Sequence, residues 1–424
     1  MNYPKNYPKV GCVAAIILSV PAVSAVAGGF DLPDQDAFAV ARGLAVVATA
    51  DNPSAIFFNP AGLTQLTGNN LRVGFYGISL DPQYTPPGGG TTFHNQNKLS
   101  GIPQFFYTYG NEKWPVSLGL GVYAPSGLSA SFSDDTGFRT VNGGTKGSLE
   151  QIAINPVVAF KLLPTLSIGA GLAANYANLD LRQGILWPSQ PNDQFRFQGD
   201  GWGLSGNVGL LWKPVEKLSF GAAFHSGTKI DLKGYTSAYN NAAIPAYGYP
   251  AFPSTSTGAN ADFQFPLKAE VGVSYRPTSK WNLEFDVDYT DWNSEGTVTI
   301  QQDGPLPIGY PPPIVLNWQS SWYYEFGATR YFDNGWHVSA GYIFNQNAMP
   351  DAHYLPVVAD EDRHFFSIGT GFKGKQFDFD IAYQFGYGPD RTVTGSAPSS
   401  TGQTADGTYN FISHAIAMSV GWHF

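Results

Sequence analysis

From residue 71 onward the sequence repeats with a period of two, and the links between its repeating segments alternate strictly between short and long. In WNLEFDVDYT, Trp281, Leu283, Phe285, Val287 and Tyr289 alternate with Asn282, Glu284, Asp286, Asp288 and Thr290, and FDFDIAYQFGY does the same from Phe377. Successive strand residues face opposite sides of a sheet, so one face of each segment avoids water and the other needs it. Fourteen strands are predicted, near 71–80, 100–110, 114–124, 147–162, 165–181, 201–213, 217–233, 263–276, 280–293, 315–332, 335–345, 363–373, 376–387 and 411–424. Long Pro/Gly-rich links (81–99, 125–146, 182–200, 234–262, 294–314, 346–362, 388–410) take turns with tight ones such as GNEK, LP, KPVEK, RPTSK and FDNG. An even strand number with short turns at one rim and long loops at the other is the pattern of an outer-membrane β-barrel. A β-sandwich also alternates, but has no reason to sort its loops this way. The expected fold is all-β, a 14-stranded antiparallel transmembrane barrel over residues 71–424.

No window after residue 27 holds 18 consecutive apolar residues, which excludes ordinary transmembrane helices. The first 27 residues read as a secretory signal: Lys5 and Lys9 are basic, Val13 to Val20 apolar, and Ala25-Val26-Ala27 a cleavage site, so the mature chain is expected to begin at Gly28. The only cysteine, Cys12, leaves with that segment, so neither a disulfide nor a thiol nucleophile is expected. What remains has 21 basic against 32 acidic residues, a net charge of −11, with no basic stripe, which argues against nucleic acid as a partner.

Tryptophans cluster at strand ends. Trp114, Trp212, Trp281 and Trp336 lie beside short turns and Trp202, Trp292 and Trp318 near long loops, and they are expected to form two interfacial girdles. The last strand presents Ile412, Ile416, Met418, Val420, Trp422 and Phe424 at every second position, apart from His414, and its terminal aromatic resembles the signal read by barrel-assembly machinery.

Residues 28–70 precede the first strand and lack its alternation. Within them AIFFNPAGLTQL, Ala55 to Leu66, is strongly apolar yet broken by Asn59-Pro60, so it is neither one helix nor an inner strand. Fourteen strands enclose a lumen wider than side chains alone can fill. The segment is therefore expected to fold inside the barrel as a hatch.

Several stretches together resemble the long-chain fatty acid transporter family (FadL type): GGFDLPDQDA, FFNPAGL, SLGLGVYAPSGL, INPVVAFKL with LSIGAGL, GWGLSGNVGLLW with LSFGAAFHSGTKIDLKG, and DEDRHFFSIGTGF. They span nearly the whole mature chain in family order. The resemblance implies a plugged fourteen-stranded barrel that takes hydrophobic molecules from outside and releases them sideways through a gap in its wall. Relatives carry fatty acids or aromatic hydrocarbons. The family's hatch motif maps onto Asn59, Pro60 and Ala61, and the inward kink of the third strand onto Pro125-Ser126-Gly127, which makes Pro125 and Gly127 the lateral-opening candidates.

Lys229 and Lys233, with Asp231, share one strand parity, read here as lumenal; Lys268 and Glu270 share that parity on the next strand. These lysines are either contacts for a substrate carboxylate or members of lumenal ion pairs. Residues 281–329 contain no Lys or Arg, which makes a neutral hydrophobic solute a serious option. Catalytic chemistry is not expected. GTGFKG, Gly369 to Gly374, lies in a strand rather than before a helix, and His225 and Ser226 point to opposite faces. His353 and His364 flank Asp360-Glu361-Asp362 in one loop, which reads as solvated rather than as a metal site. No cofactor or metal is implied. The partners implied are a hydrophobic small molecule, outer-membrane lipid and lipopolysaccharide, and the assembly machinery. An outer-membrane hydrolase and a general porin are the alternative readings; the first lacks a Ser/His/acid cluster and the second has no use for an apolar plug.

Overall fold

The computed structural model describes residues 29–424 apart from 142, 187–192, 244–249 and 295. The signal segment and the start at Gly28 lie outside the described residues.

The described residues form fourteen wall strands: β1 (Gly68–Thr85), β2 (Leu99–Gly110), β3 (Val116–Ser131), β4 (Lys146–Leu163), β5 (Leu166–Gln183), β6 (Asp193–Val215), β7 (Leu218–His225 continued by Thr228–Asn240), β8 (Phe252–Phe265 continued by Lys268–Tyr275), β9 (Trp281–Thr290), β10 (Ser321–Tyr331), β11 (Trp336–Asn345), β12 (Arg363–Lys373), β13 (Phe377–Val393) and β14 (Gly407–His423). Each pairs antiparallel with the next. β14 returns to β1 in a sixteen-pair ladder from Asn70↔His423 to Thr85↔Thr408, which closes the barrel. Both chain ends of the wall meet at the short-turn rim, where Asn69 and Phe424 exchange backbone hydrogen bonds of 3.0 Å each way. Closure removes the unpaired edge that lipid would not tolerate.

The alternation read from the sequence sets which way each residue points. Along β14, Ile412, Ile416, Met418, Val420 and Trp422 are exposed on the outer face while Ser413, Ala415, Ala417 and Ser419 are buried inside. Along β9, Asn282, Glu284, Asp286, Asp288 and Thr290 face inward.

Strand ends differ from the sequence reading. β1 starts at Gly68, so residues 68–70 belong to the wall, and β6 and β8 begin well before 201 and 263. Beyond the bilayer the ladder can continue without an apolar face, so the period-two signal fades before the strand does. Conversely β10 starts only at Ser321, because Ile314–Val315 pairs with Thr297–Val298 in a separate two-stranded ladder. Two tryptophans also depart from the expected girdle. Trp292 and Trp318 are 0% and 2% exposed and pack inside the barrel, since both lie in the long β9–β10 link, which folds inward over the lumen, rather than on lipid-facing strand positions. Trp114, Trp202, Trp212, Trp281 and Trp336 are exposed as expected.

Residues 29–66 lie within the ring of strands and are almost wholly buried down to Leu63. They form a short helix α1 (Ala37–Ala41), a single turn α2 (Ala55–Phe58) and a 3-10 turn, Pro60–Gln65. Asp36 caps α1 by accepting from Phe38 N at 3.0 Å. Irregular backbone buried at membrane depth must find partners, and here inward-facing wall side chains supply many. Ser419 Oγ accepts from Ala37 N at 3.0 Å, Asp286 Oδ2 from Val47 N at 2.9 Å, and Glu284 Oε1 from Ala48 N at 2.7 Å. Buried Arg42 is paired with buried Glu284 at 3.0 Å, and Arg72 of β1 joins Asp36 to Asp378 and Asp380 of β13.

Asn59 is fully buried and joins segment to wall. Its amide donates to Val47 O at 2.8 Å and to Leu210 O of β6 at 3.0 Å, while its Oδ1 caps the following turn by accepting from Ala61 N at 3.1 Å. Pro60 suits the first position of that turn, where an N–H would be surplus. Two wall glycines leave room for the pair: a Cβ at Gly209 would sit 2.1 Å from Asn59 Oδ1, and one at Gly169 2.4 Å from the Pro60 carbonyl carbon. Replacing Gly169 by Val should therefore leave a barrel that assembles, judged by heat-modifiable electrophoretic migration, while residues 29–66 become markedly more sensitive to added protease than in the wild type.

Candidate functional site: a seam between β2 and β3

The wall ladder is not uniform. Among the described residues the β2–β3 ladder runs only from Phe105↔Val122 to Gly110↔Ser117 and is not continued along Leu99–Gln104 and Tyr123–Ser131. β3 also has a register irregularity against β4 between Tyr123 and Ser126, spanning Ala124 and Pro125. Proline supplies no N–H to a ladder and is confined to edges and bulges.

The chain's N-terminal residues fill the seam from inside. Leu32 N donates to Pro125 O at 3.0 Å and Gly127 N to Phe30 O at 2.8 Å, which makes Asp31 and Ser126 a bridge pair. Gln35 Nε2 donates to Ala124 O and Gln104 Nε2 to Asp34 O, both at 2.7 Å, tying the same segment to both seam strands. At the outer end the loop before β2 closes over the seam through Gln96 N to Ser131 O at 2.7 Å. The β6–β7 ladder is interrupted too, over 201–206, but Ser226 N to Gly206 O at 2.8 Å and Thr228 Oγ1 to Leu204 O at 2.8 Å span it directly.

Beside the seam Phe30 enters an aromatic cluster. Its ring lies 4.7 Å from Trp292, 5.3 Å from Phe263, 5.4 Å from Trp318 and 6.0 Å from Phe265, centroid to centroid, in tilted or edge-on geometry. Burying such a ring contributes on the order of 2–3 kcal/mol, and each good aromatic pair about 1 kcal/mol more. A cavity of about 60 Å³ adjoins it, bounded by Asp31, Phe57, Pro125, His225, Lys268 and Trp292 among others. That holds roughly two waters, so a solute of hydrocarbon size needs residues to move. A larger apolar groove of about 470 Å³, between Phe160, Ile168, Leu210 and Phe224, opens on the lipid-facing surface instead.

The three candidate lysines separate. Lys268 is largely buried near the seam, its side chain 15% exposed, with its ammonium 2.7 Å from Asp31 and 3.3 Å from Asp288, so it ties the N-terminal segment to the wall. Lys229 and Lys233 are exposed and pair with Asp262 at 2.7 Å and Asp231 at 3.3 Å. Their lumenal parity is corrected: Ser226 and Gly227 break β7, the inward positions run from His225 to Thr228, Ile230 and Leu232, and every later odd-numbered residue is turned outward. An insertion that flips parity has no signature in the alternation itself. The reading of the histidine loop as solvated is corrected, since Asp360 and Glu361 are buried under the inward-folded links: Asp360 accepts from Ala348 N and Met349 N, while His353 approaches Asn317 and His364 bonds the Tyr342 hydroxyl.

The profile of the outer membrane protein transport protein family (OMPP1/FadL/TodX) matches residues 18–424. The chain belongs to this family. It is 23% identical over 462 aligned positions to the long-chain fatty acid transport protein of Escherichia coli K12, covering 97% of this chain and 96% of that one. Among solved structures it is similar to a FadL homologue of Pseudomonas aeruginosa, with a TM-score of 0.82 at 19% identity over 94% of this chain and all of that one. It is similar also to the toluene transporter TbuX of Ralstonia pickettii, with a TM-score of 0.69 at 18% identity over 92% and 98%. At these identities the structural likeness shows the shared fold. The family places the barrel in the outer membrane as a transport protein rather than an enzyme.

Two carboxyls of the N-terminal segment are perturbed in a way that bears on its docking. Burial pushes Asp31 up to about 6, outweighing the attraction of Lys268, and pushes Asp34 up to about 7, outweighing its hydrogen bond from Gln384. Well below pH 4 both are protonated whether docked or free; as pH rises from there through 6 and 7 the free segment has already lost protons that the docked one holds, so docking weakens. Protease cleavage within residues 29–66 should accordingly be faster at pH 8 than at pH 5. The ratio of wild-type to Asp34→Asn cleavage, taken at each pH to cancel the protease's own profile, should rise across that window.

Proposed function

We propose that this barrel takes up neutral hydrophobic molecules passively, with residues 29–66 as its hatch and the β2–β3 seam at Pro125 and Gly127 as a sideways exit. The observation that carries this reading is the seam itself: a wall ladder that stops at Phe105↔Val122 and is completed by Phe30 to Gln35 of the same chain. When those residues withdraw, the wall is left with a gap that opens towards lipid, and a greasy solute can leave without returning to water. Phe30 would vacate the aromatic cluster as it does so. A hydrocarbon ring could take its place on similar terms, at ~25 cal/mol per Å² of apolar surface buried.

The preference for a neutral solute rests on charge. The buried cations Arg42, Arg72, Arg139, Lys268 and Arg363 are each ion-paired within the protein, so among the described residues a substrate carboxylate would have to displace an acidic partner from whichever it met. Both solute classes occur in the names of proteins this chain is similar to, one a long-chain fatty acid transport protein and one a toluene transporter. The exposed Trp422 and Phe424 at the end of the last strand support reading by assembly machinery, and the exposed tryptophans support contact with lipid and lipopolysaccharide.

Pro125→Val with Gly127→Val should straighten β3 and abolish hydrocarbon uptake by proteoliposomes or cells, with barrel assembly and hatch protection intact; normal uptake would reject the exit. Toluene should be taken up in preference to oleate, and tight oleate binding that depends on its carboxylate would reject the solute class. In planar bilayers the intact protein should conduct ions poorly, whereas a chain lacking residues 28–66 should show large open currents.

A further inference from the structure

Below the docked turn at Val46–Thr49, three carboxylates of the inner wall converge. Asp286 of β9 stands directly across the ladder from Glu325 of β10. On its other side its partner is Gly272 of β8, and Glu270 lies two residues along on the same face. One oxygen from each of Glu270, Asp286 and Glu325 can be chosen such that all lie within 4.8 Å of one another. Like charges placed opposite each other on one face of a sheet destabilise it, and buried carboxylates need a compensating charge.

The cations in reach are already committed. Lys268 is held by Asp31 and Asp288, and Arg42 by Glu284, Thr329 and Ala45 O. Asp286 spends Oδ2 on the Val47 N–H, and its Oδ1 is buried without a hydrogen-bond partner among the described residues, as is Oε2 of Glu325. Asp286 and Glu325 are 0% and 3% exposed, so water does not relieve them from the surface. Gly272 leaves the carboxylate its place: a Cβ there would lie 1.8 Å from Asp286 Oδ1.

We propose that Glu270, Asp286 and Glu325 bind a hard divalent cation, of the calcium, magnesium or manganese class, inside the barrel wall. Three carboxylates with no histidine or cysteine among them suit a hard, oxygen-seeking ion, and they converge from three adjacent strands, as a polydentate site requires. The ion would neutralise the wall on which the N-terminal turn rests, since Asp286 also holds Val47. This site would exist whatever the transported solute is, so its test is independent of the uptake reading.

The rival is a trio that stays neutral by keeping protons. The mature protein in non-ionic detergent, stripped with EDTA, would be titrated with Mn²⁺ under electron paramagnetic resonance and melted with EDTA or with millimolar Ca²⁺. We expect one bound Mn²⁺, displaced by Ca²⁺, and a higher melting midpoint in Ca²⁺. Glu325→Gln should bind at least about tenfold more weakly. Relieved of repulsion, it should melt above the wild type in EDTA and below it in Ca²⁺. If Glu325→Gln fails to assemble, Glu270→Gln, at the more accessible edge, carries the same comparison. Absence of Mn²⁺ binding, or binding equal in wild type and variant, would overturn the proposal, as would a wild type stabilised only by acid and not by Ca²⁺.

Discussion

A strand wall in a bilayer cannot leave its backbone N–H and C=O groups unpaired, because lipid offers no replacement partners. Along much of the wall that demand is met by ladders between adjacent strands, as from β13 to β14 and from β14 to β1, whereas the β2–β3 ladder stops at Phe105↔Val122. There the partners come from the chain's own N-terminal segment, through Phe30 O, Leu32 N, Gln35 and Asp34 O. One short stretch thus both fills the lumen and completes the wall. The two roles are coupled: a displacement that opens the lumen near Phe30 also removes hydrogen bonds from Pro125 and Gly127.

The interior shows how such a segment is held. Its apolar side chains, Phe30, Phe38, Ile56 and Leu63 among them, are buried against one another and against inward-facing wall residues. Its irregular backbone leans on carboxylates and hydroxyls of β9 and β14, which stay with the wall. Polar interior faces are ordinary in outer-membrane barrels. In this one much of the buried charge is engaged in structure, with Arg42 on Glu284, Lys268 on Asp31 and Arg72 on three aspartates.

Much of this was legible in the sequence because a membrane enforces a two-residue period and an even strand count. The face of every residue in WNLEFDVDYT follows from that alternation, and the broken apolar run around Asn59-Pro60 had nowhere to be buried except the lumen. What was not legible depends on pairing between distant segments. The parity of Lys229 and Lys233 changed because two residues, Ser226 and Gly227, interrupt β7, and a bulge leaves no mark in a pattern that resumes after it. Trp292 and Trp318 carry the composition of an interfacial girdle but sit in an inward-folded link. The Asp286–Glu325 pair needed the register of β9 on β10, and the partnership of Phe30 with Gly127 joins positions about a hundred residues apart, for which no local signal exists. The proline at 125 was visible; what it faces was not.

If solute leaves through the seam, the N-terminal segment must first withdraw from it. Cys12 is the sequence's single cysteine and lies outside residues 28–424, so a single disulfide can be introduced there cleanly. Asp31 and Ser126 form an antiparallel pair without mutual hydrogen bonds, the arrangement in which side chains lie closest and a disulfide is least strained. Hydrocarbon uptake by the Asp31→Cys, Ser126→Cys protein, oxidised and then reduced, is the most direct measurement, because the reduced form controls for the substitutions. Uptake should be lost in the oxidised protein and restored by reductant; equal uptake in the two forms would contradict passage through the seam.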